Sequence, residues 1–270
     1  MRFVVPLPFA KTEAHGNDFV LVSEQGVIGE PSLLARAICD RRVGVGADGL
    51  ILYGVDGKHF RMTLFNSDGS PAEISGNGLR CLAAYLDFAG LSARPDVEVA
   101  TGAGLLSLSA LGREGSTFRF RADMGPPRNV QRGVTLEVEG RSVEVTTLSM
   151  GNPHCVVFAD RSELLDVGPR LERHPHFPEK TNVEIVELVD RHAVRMAIWE
   201  RGAGETASSG TGSAASAVAA IVNRHADSPV RVHCRGGTLE VAWTKGGGVF
   251  VTGESTVVAE GNFLIDWSRT

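Results

Sequence analysis

Apolar and polar positions alternate in many short runs rich in β-branched and aromatic residues, most of them bounded by Gly, Pro, Asp or Asn. In the first half these runs cover residues 3–7, 19–22, 50–53, 60–65 and 97–100. In the second half they cover 135–138, 142–148, 155–158, 183–188, 193–199, 230–233, 239–243 and 249–252. Each predicts a strand. Helical spacing is confined to three segments. Residues 31–40 open on a proline and place Leu33, Leu34, Ala37 and Ile38 on one face. Residues 78–89 and 212–223 are small and apolar, a composition that suits helices enclosed by strands, because alanine permits close packing.

The last two segments are copies of one pattern. Ser75-Gly76-Asn77-Gly78 precedes the first and Ser209-Gly210-Thr211-Gly212 precedes the second, about half the chain apart. An internal duplication accounts for this most economically. Gly and Pro cluster at Met124-Gly125-Pro126-Pro127, which predicts a boundary there. The expected fold is α+β: two pseudo-symmetric domains, 1–124 and 125–259, with 260–270 as a return to the first. Each would be a bent, mostly antiparallel sheet wrapped around one central helix. A ligand site would lie in the cleft between them.

Composition narrows the function classes. Apolar residues at 43% and charged residues at 22% suit a globular protein with two modest cores. A net charge of −5 without a Lys/Arg stripe argues against nucleic acid as a partner. No apolar run reaches the length of a membrane span. The apolar start, residues 1–10, is followed at once by Lys11, Glu13 and His15, so it reads as a strand rather than a secretory signal and predicts a cytoplasmic protein. Cys39, Cys81, Cys155 and Cys234 have no metal-binding spacing, which predicts reduced thiols and no metal.

Three features carry candidate chemistry. A helix start exposes unpaired N–H groups and partial positive charge, and glycines there let a ligand approach the backbone. Two such tips facing one cleft could hold a carboxylate and stabilise charge developing on it. As isolated features they are two serine N-caps; recurrence in both halves favours a joint role. Trp199-Glu200-Arg201-Gly202-Ala203-Gly204-Glu205-Thr206 places a Glu–Arg pair after an apolar strand, just before Ser209. On a surface this pair would contribute little; beside a helix tip it suits a substrate contact. Gly151-Asn152-Pro153-His154 turns tightly into a strand and offers an imidazole as proton partner. Polar turns at His15-Gly16-Asn17-Asp18, Phe65-Asn66-Ser67-Asp68-Gly69 and Thr181-Asn182 complete the set, although asparagine is common in turns for backbone reasons alone.

Together with Arg41-Arg42-Val43-Gly44-Val45-Gly46-Ala47-Asp48-Gly49 and Leu79-Arg80-Cys81, these motifs resemble the diaminopimelate epimerase family over nearly the whole chain and in the family's order. The resemblance implies the duplicated fold. It also implies a homodimeric isomerase that works without pyridoxal phosphate or another cofactor, inverting an amino-acid α-carbon between a thiolate on one face and a thiol on the other. The implied substrate is a small amino acid with a carboxylate and a second amino-acid group, diaminopimelate, a precursor of lysine and peptidoglycan. By that resemblance Asn17, Asn66, Asn152 and Asn182 hold the distal amino-acid group and nearby polar atoms, with Glu200 and Arg201 also in contact. Gly76-Asn77 and Gly210-Thr211 cradle the reacting carboxylate, and His154 and Glu200 assist the acid/base pair.

One departure bears on mechanism. Ser75 and Ser209 occupy the positions of the family's two catalytic cysteines. Cys81 lies nearly two turns into its helix, and Cys155 should point away from His154. Gly49 stands where some members carry glutamine. Three readings follow from the serines: an epimerase inactivated by replacement of both cysteines; a natural variant running slow or altered chemistry, such as a related isomerisation or dehydration; or an amino-acid-binding protein without turnover. Ser208, Ser213 and Ser216 around the second tip favour the natural variant.

Overall fold

A computed structural model describes residues 4–56, 59–72, 75–92, 96–102 and 104–267. Phe3 of the first apolar run and Ile74 before the first serine tip lie outside them. The chain forms two compact units, Met1–Arg121 with Glu254–Thr270, and Ala122–Gly253.

In the first unit the strands are β1 (Val4–Ala14), β2 (Asn17–Ser23), β3 (Gly49–Asp56), β4 (His59–Asn66), β5 (Pro71–Ala72), β6 (Asp96–Thr101), β7 (Gly104–Glu114) and β8 (Thr117–Asp123), with helices α1 (Pro31–Cys39) and α2 (Gly76–Phe88). Antiparallel pairs β1–β2, β3–β4 and β6–β7 are joined by parallel pairs β2–β3 and β4–β6. Helix α1 lies against β3 and β4, and α2 against β1, β2 and β3. Successive side chains of a strand point to opposite faces. Val20, Val22, Leu50 and Leu52 therefore enter the core beneath α1, whereas Ile51 reaches Gly78 of α2.

The second unit contains β9 (Arg128–Val138), β10 (Arg141–Ser149), β11 (Pro153–Phe158), β12 (Asn182–Asp190), β13 (Ala193–Glu200), β14 (Gly204–Thr206), β15 (Val230–Cys234) and β16 (Gly237–Trp243), with helices α3 (Leu164–Glu172) and α4 (Gly210–Val222). The last strand, β17 (Val249–Asp266), pairs with β16 here and continues into the first unit along β1. Val183 and Ile185 face the core under α3, while Val186, Met196 and Ile198 face α4. Each such fully buried aliphatic side chain contributes about 1.5–3 kcal/mol. Helix α4 is lined by β10, β11, β12, β13, β15 and β16, and the Ala214–Ala220 stretch is entirely enclosed.

The α+β architecture with an enclosed, alanine-rich helix agrees with the sequence pattern. The boundaries differ in instructive ways. Both serine-tipped helices begin two residues earlier than their apolar spacing suggests, because Ser75 and Ser209 are N-caps whose hydroxyls accept N–H bonds from Gly78 and Gly212. The glycines of each motif therefore sit in the first turn. Helix α3 has no counterpart among the three helical segments of the sequence pattern, and it contains Gly168 and Pro169, residues that ordinarily interrupt a helix. A Cβ on Gly168 would lie 3.0 Å from Trp199 Cβ, so the glycine permits α3 to approach β13. Strand β7 was hidden for a different reason. It is mostly exposed and carries no clean alternation, with Leu108 its buried anchor.

Candidate active site

The two helix tips share a backbone plan. Gly78 N–H donates to Ser75 Oγ at 3.0 Å and Gly212 N–H to Ser209 Oγ at 3.2 Å. The second glycine of each motif serves packing rather than ligand approach. A Cβ at Gly212 would meet Ile198 Cδ1 at 2.6 Å and Glu184 Oε1 at 3.0 Å; one at Gly78 would meet Met62 Cε at 3.2 Å and Ile51 Cδ1 at 3.3 Å. The first amides of a helix lack the intrahelical carbonyl that later ones have, which suits a helix start to an anion.

In the first unit, the ends of β2, β3 and β4 gather Asn17, Asp48, Gly49 and Asn66. Asn17 Nδ2 donates to Asp48 Oδ2 at 2.8 Å, and Asn66 Nδ2 to Ser70 Oγ at 2.9 Å. Each amide is thereby oriented, with its oxygen left for a donor such as an ammonium group. Burial alone would raise the Asp18 carboxyl, but Arg41 and Lys11 outweigh it and hold Asp18 well below the usual carboxylate range. This ion-pair network, in which Arg41 also meets Asp48, ties the β1–β2 turn to the loop before β3. A Cβ at Gly49 would meet the Phe65 carbonyl at 2.8 Å, so a glutamine would not fit there without moving backbone. Asn77 is buried in the first turn of α2, and Gly76 is half-buried beside it.

In the second unit the proton-bearing groups converge beneath the α4 tip. His154 and Glu184 stand on neighbouring strands with fully buried side chains. His154 Nδ1 lies 2.7 Å from Glu184 Oε1, and Nε2 lies 2.9 Å from Asn152 Oδ1. Both ring nitrogens face oxygens, so Nε2–H donates to Asn152 and one further proton is shared between Nδ1 and the Glu184 carboxyl. Burial pushes Glu184 up, against the pull of His154, which favours retention of that proton. Glu184 Oε2 has no hydrogen-bond partner.

Glu200 lies on the same face of the sheet, two residues beyond Ile198, and receives the Thr206 hydroxyl at 2.5 Å. Burial pushes its carboxyl up; the Thr206 bond opposes this and the nearby Glu184 charge adds to it. The folded state therefore keeps a proton that the unfolded chain releases above about pH 4.3. Stability must fall as pH rises from there toward the folded-state value. Glu200→Gln is expected to flatten that decline in urea titrations between about pH 4 and 7; an unchanged slope would refute the assignment.

Asn182 acts as a clamp. Its Nδ2 donates to the Pro153 carbonyl and its Oδ1 accepts Arg201 N–H, each at 2.9 Å. It thus fixes Arg201 relative to the Asn152–His154 turn, while the Arg201 guanidinium donates to the Glu179 carbonyl at 3.2 Å. Gly210 is buried in the first turn of α4 and Thr211 is half-buried there, with its hydroxyl 3.4 Å from Ser209 Oγ.

Two participants escaped the sequence reading. Glu184 sits inside an apolar run and passes for a strand residue; the signal was an acid at a position whose neighbours on both sides are buried. Arg80 is fully buried although nothing in its spacing marks it. The cysteines do not replace the missing thiols in kind. Burial pushes Cys81 up to about 12 and raises Cys155, which faces α3. Cys234 does approach the α4 tip, 3.7 Å from Ser213 Oγ, but burial raises it too.

Known proteins resemble this chain over nearly its whole length. The family model for diaminopimelate epimerase matches residues 9–130 and 146–258. The chain belongs to the diaminopimelate epimerase family. The diaminopimelate epimerase of Moorella thermoacetica is 39% identical, with 96% of this chain and 99% of that one covered. The one from Synechococcus elongatus is 41% identical, with 95% and 98% covered. Among solved structures, a hydroxyproline epimerase from Agrobacterium vitis, crystallised with trans-4-hydroxy-L-proline, superposes with a TM-score of 0.74 at 16% identity, covering 98% of this chain and 94% of that one. A phenazine biosynthesis protein from Bacillus anthracis gives 0.75 at 18% identity, covering 97% and 100%. These two extend the diaminopimelate epimerase fold beyond the range of sequence likeness. Among the described residues no helix is long and apolar enough to cross a membrane, and no cluster of His, Cys, Asp or Glu could hold a metal ion.

Proposed function

We propose that this protein inverts the α-carbon of diaminopimelate by two-base proton transfer, with Ser75 and Ser209 on opposite faces of the substrate and both helix tips directed at its α-carboxylate. The observation that carries this reading is the pair of capped tips, Ser75 Oγ on Gly78 N–H and Ser209 Oγ on Gly212 N–H, in a chain about 40% identical to curated epimerases. Tip amides that stabilise a carboxylate stabilise it further as the α-carbanion delocalises into it. His154, Glu184 and Glu200 supply proton storage beside residue 209, while Asn17, Asn66, Asn152 and Arg201 hold the substrate's distal group, with Asn182 positioning Arg201.

A serine hydroxyl ionises far less readily than a thiol, so turnover in this reading is slow. That feature favours a second reading, stereospecific amino-acid binding without turnover. Incubating LL-diaminopimelate with concentrated protein and separating its stereoisomers decides between them. Appearance of the meso form in proportion to protein supports the epimerase. Tight binding by calorimetry with no meso product supports the binder, and neither binding nor product defeats both.

A further inference from the structure

The first helix tip is backed by a buried charge that no described residue balances. Arg80 is 1% exposed. On a helix, side chains lean toward the N-terminus, and the Arg80 guanidinium accordingly donates to Asn77 Oδ1 in the first turn of α2. Its Nε has no partner. Among the described residues no carboxylate forms an ion pair with it. The two acids nearby on β1 and β2 are engaged elsewhere: Glu13 accepts Gly16 N–H, and Asp18 is held by Lys11 and Arg41. Burial brings the guanidinium down only to about 10, so it remains a cation at neutral pH. His15, which burial and the Arg80 charge press down to about 4, stays neutral and offers no further positive charge.

A buried cation without a counter-ion is costly, and natural proteins retain one where a ligand supplies the missing charge. The α2 tip amides lie in the same first turn as Asn77. We infer that Arg80 is the buried counter-charge for the substrate carboxylate at the α2 tip, acting through Asn77 and the tip amides as a positioning residue. The inference rests on the carboxylate-binding reading above and adds an asymmetry to it. The α4 tip is backed by two carboxyls and an imidazole that store protons, whereas the α2 tip is backed by a permanent cation. The helix-tip plan is duplicated; the electrostatics around it are not.

The test combines melting of the ligand-free protein with calorimetric titration of LL-diaminopimelate. Arg80→Met keeps the bulk and removes the charge. The ligand-free variant is expected to melt at or above the wild-type Tm, by about 2–4 °C if one buried-charge penalty is relieved. Its Kd should be weaker by on the order of 100-fold. Arg80→Lys, which restores the charge without the planar fork, should recover binding to within about tenfold of wild type. A purely structural arginine gives the opposite pattern, a lower Tm on Arg80→Met. That result, or a Kd within about threefold of wild type, overturns the inference. If wild-type protein binds no diaminopimelate, the substrate assignment fails. The melting comparison then still decides whether Arg80 is an uncompensated charge.

Discussion

The double variant Ser75→Cys/Ser209→Cys is expected to exchange the α-proton of diaminopimelate on the order of 10⁵-fold faster than the wild-type chain. The magnitude follows from ionisation alone. A thiol titrates near 8.5, and a serine hydroxyl lies roughly 5 units higher, so forming the base costs about 7 kcal/mol more at 1.36 kcal/mol per unit. Helix-tip amides lower both groups but do not close such a gap. The expected cost of the substitution is modest, about 1 kcal/mol per site, because each serine also caps its helix. Single variants separate the two faces: a thiolate at one tip removes only the proton on its own side, so each single cysteine should exchange one epimer in preference to the other. Exchange rates in D₂O for the four proteins check this, and a double-variant gain below about tenfold would show that the tips are not placed on opposite sides of one α-carbon.

The second large effect is on stability. Glu184→Ala is expected to lower the unfolding free energy by about 3–5 kcal/mol, because it leaves a fully buried imidazole nitrogen without its hydrogen-bond partner and opens a cavity beside it. Glu184→Gln keeps the volume and one hydrogen bond, so its loss should be nearer 1–3 kcal/mol. Urea denaturation at pH 7 measures both. A loss below about 1 kcal/mol for the alanine variant would mean that the 2.7 Å contact between His154 Nδ1 and Glu184 Oε1 carries no weight.

The sequence exposed those features whose cause is local. Alanine-rich spacing marks α4 because enclosure by strands demands small side chains, and serine followed by glycines marks the starts of α2 and α4 because capping and a tight first turn demand them. Features set by tertiary contact were hidden. Gly168 and Pro169 look like a break until Trp199 is seen against α3. Gly78 and Gly212 look like openings for a ligand, yet Met62, Ile51, Ile198 and Glu184 fill the space a side chain would take. Asn182 reads as a substrate contact, and its amide is already bonded to Pro153 and Arg201. Arg80 and Glu184 are ordinary in their segments; their burial, which makes them costly and therefore informative, is a property of the packed sheet around each helix.

The most direct test of a shared α-carbon is mass spectrometry of diaminopimelate recovered from D₂O after long incubation with concentrated wild-type protein. The account predicts slow deuteration at the α-position, first order in protein, with the deuterium appearing mainly in molecules whose configuration has inverted. Deuterium confined to molecules of unchanged configuration, or no deuterium from either the wild-type or the two-cysteine protein, would contradict it.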